Sequence, residues 1–430
     1  MGAGRSSGGA ATLLAAVLAA AGLAQAWDLG RRSAGSDFYQ FWIVTQVIGR
    51  ADVASIYDEE AHARLGAEFI RRSLTDDTSE RRRRAAREWR VLEPTATPLL
   101  YSVFRPFAGL EYETAHLVLR TVSLAALTAG VVAMALLLGH SATTALLALA
   151  VLSVAFRPLK ASVQVGQVNE VQLAAVAVYL WLSSAGDRSR RQVAAGALLA
   201  ALILFKPNLV AALLLLAAVW LARGRRGKLA RQAAGAMAGG LLALGVTTAV
   251  FGSPVAWRDW VEFMRVFPPE KIPLRLGNVG PARLAFETMD LRLTPLLAAL
   301  ALGLALTAVW AGRARLGEAA AEEPLRVVTE DTAGLAAGAF VYLLSAPLVW
   351  NHYLLLTVPA ALLLLRDSGG PERSDSMRRA LVGGALVAMA VDPIADLFHV
   401  YDMYAHAALS VAGVLVLFVL TLRELARPRP

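Results

Sequence analysis

Long apolar stretches recur along the whole chain, with short polar segments between them. They are rich in Ala, Leu and Val and show no alternation of apolar and polar residues, so the pattern predicts helices rather than barrel strands. Such stretches match the length needed to cross about 30 Å of hydrocarbon. We therefore predict an all-α, polytopic integral membrane protein with about 12 transmembrane helices. The predicted spans are 9–27, 113–138, 142–156, 165–183, 193–205, 208–222, 232–251, 293–311, 333–348, 352–366, 379–393 and 404–421.

One break in the pattern decides the topology. Lys206 and Pro207 interrupt an apolar run, so residues 193–222 form either two short spans or one broken helix. With twelve spans and a cytoplasmic N-terminus, every short Arg cluster falls on one face, as the positive-inside rule requires. We therefore predict two spans and cytoplasmic N- and C-termini. With a single broken helix, every later loop would change sides.

Two long loops are predicted on the opposite, extracytoplasmic face: residues 28–111 and residues 252–292 of a single membrane domain, 1–430. Long loops translocate largely regardless of charge, so the run "SERRRRAAREWR" in the first loop is compatible with this orientation. We interpret that run as a surface helix, either solvated or touching lipid headgroups. The "LAQA" of residues 23–26 resembles a signal peptidase site, but we expect an uncleaved first helix.

Composition and the absence of known motifs exclude several classes of function. Hydrophobic residues make up 57% of the 430, and the net charge of +9 comes mostly from Arg in short loops, which indicates topology rather than nucleic-acid binding. The absence of cysteine excludes disulfides and thiolate sites. The sequence contains no nucleotide-binding, HExxH, GxSxG or DxD motif. No internal repeat is evident, which disfavours a transporter built from inverted repeats.

Polar and charged residues gather where the predicted spans reach the extracytoplasmic face. Such groups are costly at membrane depth and tend to be functional, so their convergence predicts a site. The candidates are Asp37, Arg157, Lys160, Gln164, Gln167, Asn169, Lys206, Asn208, Asn351, His352, Asp392, Asp396 and His399.

Most candidates also have a structural interpretation. Asp37 can cap a helix, because Ser36 and Asp37 precede a helix-compatible aromatic run. Arg157 and Lys160 can extend toward lipid headgroups. Amides such as Gln167 can join packed helices.

Three of the remaining candidates also have a structural interpretation, and Lys206 does not have an obvious one. His352 can belong to an interfacial aromatic belt, and Asp392 and Asp396 can be solvated caps at a span end. Lys206 is harder to explain structurally, because it lies within an apolar run and its charge needs an anion or water.

Several segments resemble glycosyltransferase family 87, the polyprenyl-phosphate-mannose-dependent mannosyltransferases with the GT-C membrane fold. The first is "SDFYQFWIVTQVIGRADVASIYD", which begins at Ser36. "TPLLYSVFRPF", "VGQVNEVQL", "LILFKPNLV" and "SAPLVWNHYLLLTVP" follow in the family's order, so the resemblance spans most of residues 36–360. The chain departs from the family at Thr97, where a second proline is missing, and at Asn351, where the family often has a histidine.

The resemblance implies a reaction and roles for these residues. It implies inverting transfer of mannose from polyprenyl phosphate to an extracytoplasmic acceptor at the plasma membrane, with no cofactor. Asp37 would be the general base on the acceptor hydroxyl. The phosphate would be bound by Lys206, Arg157 and Lys160, in that order. The implied sugar- or acceptor-binding residues are Gln167, Asn169, Asn351 and His352. The aromatic residues from Phe38 to Trp42 would pack the loop onto the spans.

Several alternatives stay open at this point. The acceptor can be a glycolipid, a lipoglycan, a protein or a polysaccharide, and a pentose such as arabinose would need similar donor chemistry. Metal dependence is undecided, although no second carboxylate accompanies Asp37 at a ligand spacing. A secondary transporter or flippase is the main rival, and it would place ionisable groups in broken helices near the bilayer midplane, where only Lys206 fits. A scaffold subunit is the third interpretation.

Overall fold

A computed structural model describes residues 6–75, 78–184, 189–267, 274, 277–313, 323–366, 372–390 and 403–427. Within these ranges the chain is helical and contains no β-strand, which agrees with the predicted all-α class. The helices in the first part of the chain are α1 (Ser6–Arg32), α2 (Ser36–Val47), α3 (Glu59–Ser73), α4 (Glu80–Glu88), α5 (Pro98–Phe104), α6 (Tyr112–Leu137), α7 (Ala142–Ala155), α8 (Arg157–Val165) and α9 (Asn169–Ser183). Those in the second part are α10 (Ser189–Phe205), α11 (Val210–Ala222), α12 (Arg226–Phe251), α13 (Val255–Val266), α14 (Pro281–Met289), α15 (Thr294–Ala311), α16 (Pro324–Ser345), α17 (Val358–Leu365), α18 (Glu372–Met389) and α19 (Met403–Ala426).

Six of the described helices are long and apolar enough to cross a membrane: α1, α6, α12, α15, α16 and α19. The pair α7 and α8 adds a seventh if it is one span, although it bends by 65° at Phe156. A helix lies at each of the twelve predicted span positions, but five of the others have fewer than 18 residues and α18 carries too many charged residues, so the count of twelve stays a prediction. The predicted span 379–393 also extends beyond the described residues. The chain is thus a multi-pass membrane protein.

The break at Lys206 separates two helices that run in opposite directions. Asn169 at the start of α9 accepts from Lys206, whereas Ser183 at the end of α9 accepts from Gln192 near the start of α10. Trp220 near the end of α11 reaches the same far end of the bundle, where its indole donates to Asp331. Residues 189–222 are therefore two antiparallel helices, with Lys206 at their turn.

We call the end of the bundle that holds this indole contact the Asp331 end. Its centre is a fully buried ion pair between Lys228 and Asp331, with Nζ and Oδ2 2.7 Å apart. Asp331 also accepts from Trp220 at 2.8 Å and from Ser183. Because an unpaired charge is costly in the interior, these partners fix the contacts of α16 with α9, α11 and α12.

Arginines from the short clusters gather at the same end. Arg223, Arg225 and Arg326 lie 3.5, 2.9 and 3.4 Å from the carboxylate of Glu330. Arg378 and Arg427 approach Glu424 in the same way, at 3.5 and 2.7 Å. These five described arginines, which belong to clusters that the positive-inside rule assigns to one face, therefore lie at one end of the structure.

The opposite end, which we call the Asp37 end, is covered by helices α2 to α5 from the predicted first loop. Their core is aromatic, and every aromatic residue of "SDFYQFW" is buried in it. Phe38 packs on Tyr112 with ring centres 5.8 Å apart, and the Trp42 indole donates to the carbonyl of Leu110. The Arg-rich run forms α4, which packs on α2 and buries Ala85 and Ala86.

Candidate functional site

Two glycines with left-handed backbones hold the corner where α2 meets α9. Gly35 precedes α2 with φ of 69°, and Gly166 precedes Gln167 with φ of 75°. A Cβ on Gly166 would lie 2.7 Å from the Cβ of Phe38, and one on Gly35 would lie 2.6 Å from His116. Only glycine allows both the positive φ and this close approach. The corner therefore brings residues 37 and 167 together, although 130 positions separate them.

A continuous chain of polar contacts begins at Asp37. The amide of Gln167 donates to Asp37 Oδ2 at 2.6 Å, and its oxygen accepts from Lys206 Nζ at 3.1 Å. Lys206 also donates to Asn169 Oδ1 at 2.6 Å, and Asn169 in turn donates to the carbonyl of His352 at 3.2 Å. Five of the candidate residues thus form one connected cluster.

Asp37 does not cap its helix. Gly35 occupies the N-cap position of α2 and no side chain caps it, so the capping interpretation is wrong. The carboxylate is half-buried and faces a cavity on each side. Burial raises the pKa of Asp37 from 3.8 to about 6, and the negative charge of Glu88 adds to this increase. The Gln167 hydrogen bond and the positive charge of Lys206 act in the opposite direction and lower the pKa. A pKa near neutrality suits a group that must accept a proton.

Lys206 is held in an unusual environment. Its side chain is buried, and besides its two amide acceptors the ammonium lies 4.3 Å from the centre of the Tyr353 ring. No carboxylate oxygen of a described residue lies within 4.0 Å of Nζ. Thr97 fixes the adjacent turn, because its hydroxyl donates to the carbonyl of Phe205 at 3.0 Å.

Two cavities adjoin Asp37. The first, which we call the Arg157 cavity, has a volume of about 890 Å³ and is lined by Arg157, Lys160, Asn351 and His352. The second, the Lys206 cavity, has a volume of about 610 Å³ and is lined by Lys206 and Gln167. Four residues line both cavities: Asp37, Glu88, Trp89 and Trp350. Asp37 therefore lies in the wall that the two cavities share.

The three candidate cations are divided between these cavities. Arg157 and Lys160 lie on α8, where they share a face with Gln164 at helical spacing, and all three line the Arg157 cavity. The bend at Phe156 turns this helix across the end of the bundle, and Pro158 in its first turn suits a helix start. Lys206 lines only the other cavity.

A backbone bridge presents Asn351 and His352 to the Arg157 cavity. Asn278 pairs with Trp350 in an antiparallel bridge, and its side-chain oxygen accepts from the amide of Val349 at 3.0 Å. The backbone amide of Asn351 donates to the carbonyl of Gly277 at 3.0 Å. The side-chain oxygen of Asn351 and Nε2 of His352 have no hydrogen-bond partner among the described residues. Both atoms are buried beside the Arg157 cavity, which Asn351 and His352 line.

Several residues at the site were not among the candidates predicted from the sequence. Glu88 and Trp89 lie in the Arg-rich run, and they reach the shared wall because the Trp89 indole donates to the carbonyl of Ser36 at 2.6 Å. No sequence pattern indicated a role for Asn278. Asn208 is structural, since it exchanges two hydrogen bonds with Gln172. Asp392, Asp396 and His399 lie outside the described residues.

The residues around Asp37 do not form a recognisable metal site. In the part of the chain that the structure describes, no three His, Asp or Glu side chains come together to hold a metal ion. Glu88 is the one further carboxylate that lines both cavities with Asp37.

The fold and the site define a class of membrane protein: a helical bundle with two adjoining cavities that share a carboxylate at one end. Comparison with family models identifies the chain more closely. A model described as glycosyltransferase family 87 matches residues 95–345, more than half of the chain. The protein belongs to that family and is therefore a glycosyltransferase.

The match begins after α2, so it includes Lys206 and the α8 cations but neither Asp37 nor His352. Comparisons with curated proteins and with solved structures give no match.

Proposed function

We propose that the protein transfers a sugar from a polyprenyl-phosphate donor to a hydroxyl of a glycolipid or polysaccharide acceptor, with inversion at the anomeric carbon. The observation that carries this proposal is the position of Asp37 in the wall between two cavities. A transferase with a direct displacement must bring two substrates to one base, and two cavities meeting at one carboxylate supply that arrangement.

The Arg157 cavity suits the donor. Its lining includes Leu29 of α1 and Ala155 of α7, two apolar helices of the bundle, beside Arg157 and Lys160. A polyprenyl chain can therefore remain against the apolar helices while the phosphate meets two cations. Asn351 and His352 in the same lining supply an amide and an imidazole for the sugar hydroxyls. Arg and Lys are the usual partners of phosphate groups in proteins.

The Lys206 cavity suits the acceptor. An acceptor hydroxyl there faces Asp37, whose carboxylate takes the proton while the hydroxyl oxygen forms a bond to C1 of the donor sugar. The bond from C1 to the phosphate oxygen breaks, and its electron pair leaves with polyprenyl phosphate. General base catalysis of this kind contributes roughly 10²- to 10⁴-fold.

Lys206 acts in this scheme mainly by positioning. Its ammonium donates to Gln167 and Asn169 and lies over the Tyr353 ring. Lys206 thereby positions the Gln167 amide that contacts Asp37. We therefore place the donor phosphate at Arg157 and Lys160 before Lys206. The ammonium also lowers the pKa of Asp37, which keeps more of this base ionised near neutral pH.

The orientation proposed from the sequence is an extracytoplasmic site in the plasma membrane, with both termini in the cytoplasm. The Arg-rich Asp331 end would then face the cytoplasm, as the positive-inside rule favours. The domain boundaries, with loops 28–111 and 252–292 on the outer face, follow from the same orientation. An outer-face enzyme lacks nucleotide sugars, which is why a lipid-borne donor fits.

The direct test is transfer by purified protein. The protein in detergent is incubated with defined polyprenyl-phosphate sugars, mannose first and a pentose second, and with a glycolipid extract as acceptor. Mass analysis should show acceptor products heavier by one sugar, together with free polyprenyl phosphate. Accumulation of neither product with any donor would contradict the proposal, and movement of intact lipid-linked sugar across proteoliposomes would favour the flippase.

A further inference from the structure

A third cavity lies on the far side of α13 from the Lys206 cavity. Its volume is about 500 Å³, and it is enclosed by the start of α3, residues 91–93 and α13. Volumes of this size are typical of small-ligand sites. We call it the Phe263 cleft, after the half-exposed aromatic residue on its α13 side.

The cleft combines an aromatic platform with acidic groups. Phe263 lies edge-on to His62 at 5.4 Å and packs on Phe267 at 5.5 Å and on Tyr57 at 6.1 Å. Five carboxylates line the same cavity: Asp58, Glu59, Glu93, Asp259 and Glu262. Sugars present apolar C–H faces and hydroxyl donors, and hydrogen bonds from hydroxyls to carboxylates are among the stronger ones.

Not all of these carboxylates are available to a ligand. Asp58 caps α3 by accepting from the amide of Glu60 at 3.3 Å, Glu262 pairs with Arg258 at 2.9 Å, and Glu93 also interacts with a neighbouring group. No three acidic or histidine groups among the described residues form a metal site. The aromatic platform and the absence of a three-ligand cluster favour a neutral glycan over a metal ion.

The cleft adjoins the Lys206 cavity at residues 91–93. Val91 and Glu93 line both. Helix α13 presents Trp260 to the Lys206 cavity, where its indole donates to the carbonyl of Thr95 at 3.1 Å, and presents Phe263 to the cleft. Tyr57 ties the cleft to the same segment, because its hydroxyl donates to the carbonyl of Ala96 at 3.0 Å. An acceptor chain that leaves the Lys206 cavity past Val91 and Glu93 would reach the cleft.

We infer that the Phe263 cleft is a subsite for the further sugars of the acceptor, so that the acceptor is an oligosaccharide or a glycan chain rather than a lipid with one sugar. This inference rests on the proposed function, because it takes the Lys206 cavity as the acceptor cavity. Binding in the cleft would hold the acceptor's terminal hydroxyl at Asp37 and so favour longer acceptors.

Equilibrium binding tests the subsite without requiring transfer. Full-length protein in detergent is titrated with neutral trisaccharides of mannose, glucose and xylose and with the corresponding monosaccharides. We expect at least one trisaccharide to bind, and Phe263→Ala to weaken it by roughly tenfold, the effect of losing about 1.4 kcal/mol. Phe263→Tyr should stay within about twofold of the wild type, because it keeps the platform.

Two further variants test whether misfolding, rather than a lost contact, causes the weaker trisaccharide binding. Asp259→Asn, on the rim of the cleft, should weaken the trisaccharide while leaving the unfolding temperature unchanged. Phe286→Ala makes the matched substitution outside the cavities described above and should leave binding unchanged. Failure of every trisaccharide to bind, or binding that does not depend on Phe263, would overturn the inference. Preferential binding of a lysine-rich peptide would overturn it as well, since the carboxylates would then serve a cationic partner.

The two proposals fail in different ways. Transfer from polyprenyl phosphate without Phe263-dependent trisaccharide binding would leave the function standing and remove the subsite. Phe263-dependent binding without transfer from any donor would support a glycan site and reject the reaction.

Discussion

Asp37 and Lys206 contact opposite ends of one amide: Gln167 donates to Asp37 Oδ2 at 2.6 Å and accepts from Lys206 Nζ at 3.1 Å. A base and a cation from distant parts of the chain are thereby coupled without a direct ion pair. The carboxylate stays free on the sides that face the two cavities.

The first prediction concerns pH. Asp37 must be deprotonated to act as a base, and its pKa is about 6, so activity should fall as the pH drops through 6. At pH 5 about one tenth of the carboxyl groups remain ionised, which predicts a loss of about tenfold in kcat/KM. The measurement is the acid limb of the kcat/KM profile.

A substitution at Gln167 should move that limb. Because the Gln167 hydrogen bond lowers the pKa of Asp37, Gln167→Leu should raise this pKa and shift the limb to higher pH. Gln172→Leu removes another buried amide, one that pairs with Asn208, and should leave the limb in place. An unshifted limb in the Gln167 variant would contradict the role of Asp37 as the titrating base.

The cations of α8 should affect the donor selectively. Arg157→Ala and Lys160→Ala should each raise the KM for the polyprenyl-phosphate sugar by roughly tenfold or more, because each removes a charge-assisted contact to phosphate. The KM for the acceptor should change little. Arg84→Ala removes an exposed charge that lines none of the described cavities and serves as the control. Equal increases in both KM values would place these cations outside the donor site.

Gly166 should tolerate no side chain. Gly166→Ala combines a left-handed backbone with a Cβ 2.7 Å from that of Phe38. We expect a loss of roughly 1–3 kcal/mol in the free energy of unfolding and a larger loss of activity, because the corner positions Gln167. Thermal unfolding in detergent measures the first effect. Gly240→Ala, in open space on α12, should be neutral or slightly stabilising.

The Asp331 end should matter for stability rather than chemistry. Asp331→Ala leaves the Lys228 ammonium buried without its carboxylate, which typically costs about 3–5 kcal/mol. The unfolding temperature should drop, while folded protein keeps the wild-type pH profile. Asp28→Ala removes an exposed ion pair at the end of α1 and should cause no measurable change. A shifted acid limb in Asp331→Ala would show that this network reaches the active site.

The helices could be predicted from the sequence because long apolar runs indicate them. The polar face could be predicted because the charges of the loops indicate which helix ends lie on the same side. A helix lies at every predicted span position, and Lys206 does mark a turn between two helices. Segment 157–164 was expected to be a connection between spans, yet it forms helix α8. The bend at Phe156 that creates this helix depends on tertiary packing, which apolar run length does not encode.

The division into cavities could not be predicted. Arg157 and Lys206 were both candidates for the donor phosphate, with Lys206 placed first, but α8 and the α10–α11 turn aim them into different cavities. Glu88 was hidden in a run of arginines, and only the contact of Trp89 with Ser36 brings it to Asp37. The part of Asn278 depends on a backbone bridge to residues more than 70 positions away. Contacts of this range leave no local pattern.

The central claim is that Asp37 is the base, and Asp37→Asn tests it most directly. The substitution keeps the size of the side chain and leaves an amide that can still bond to Gln167, so the protein should fold with an unchanged unfolding temperature. Transfer from polyprenyl-phosphate sugar should fall by roughly 10²-fold or more. Donor binding, measured separately, should persist. Wild-type transfer rates in the folded Asp37→Asn protein would contradict the account.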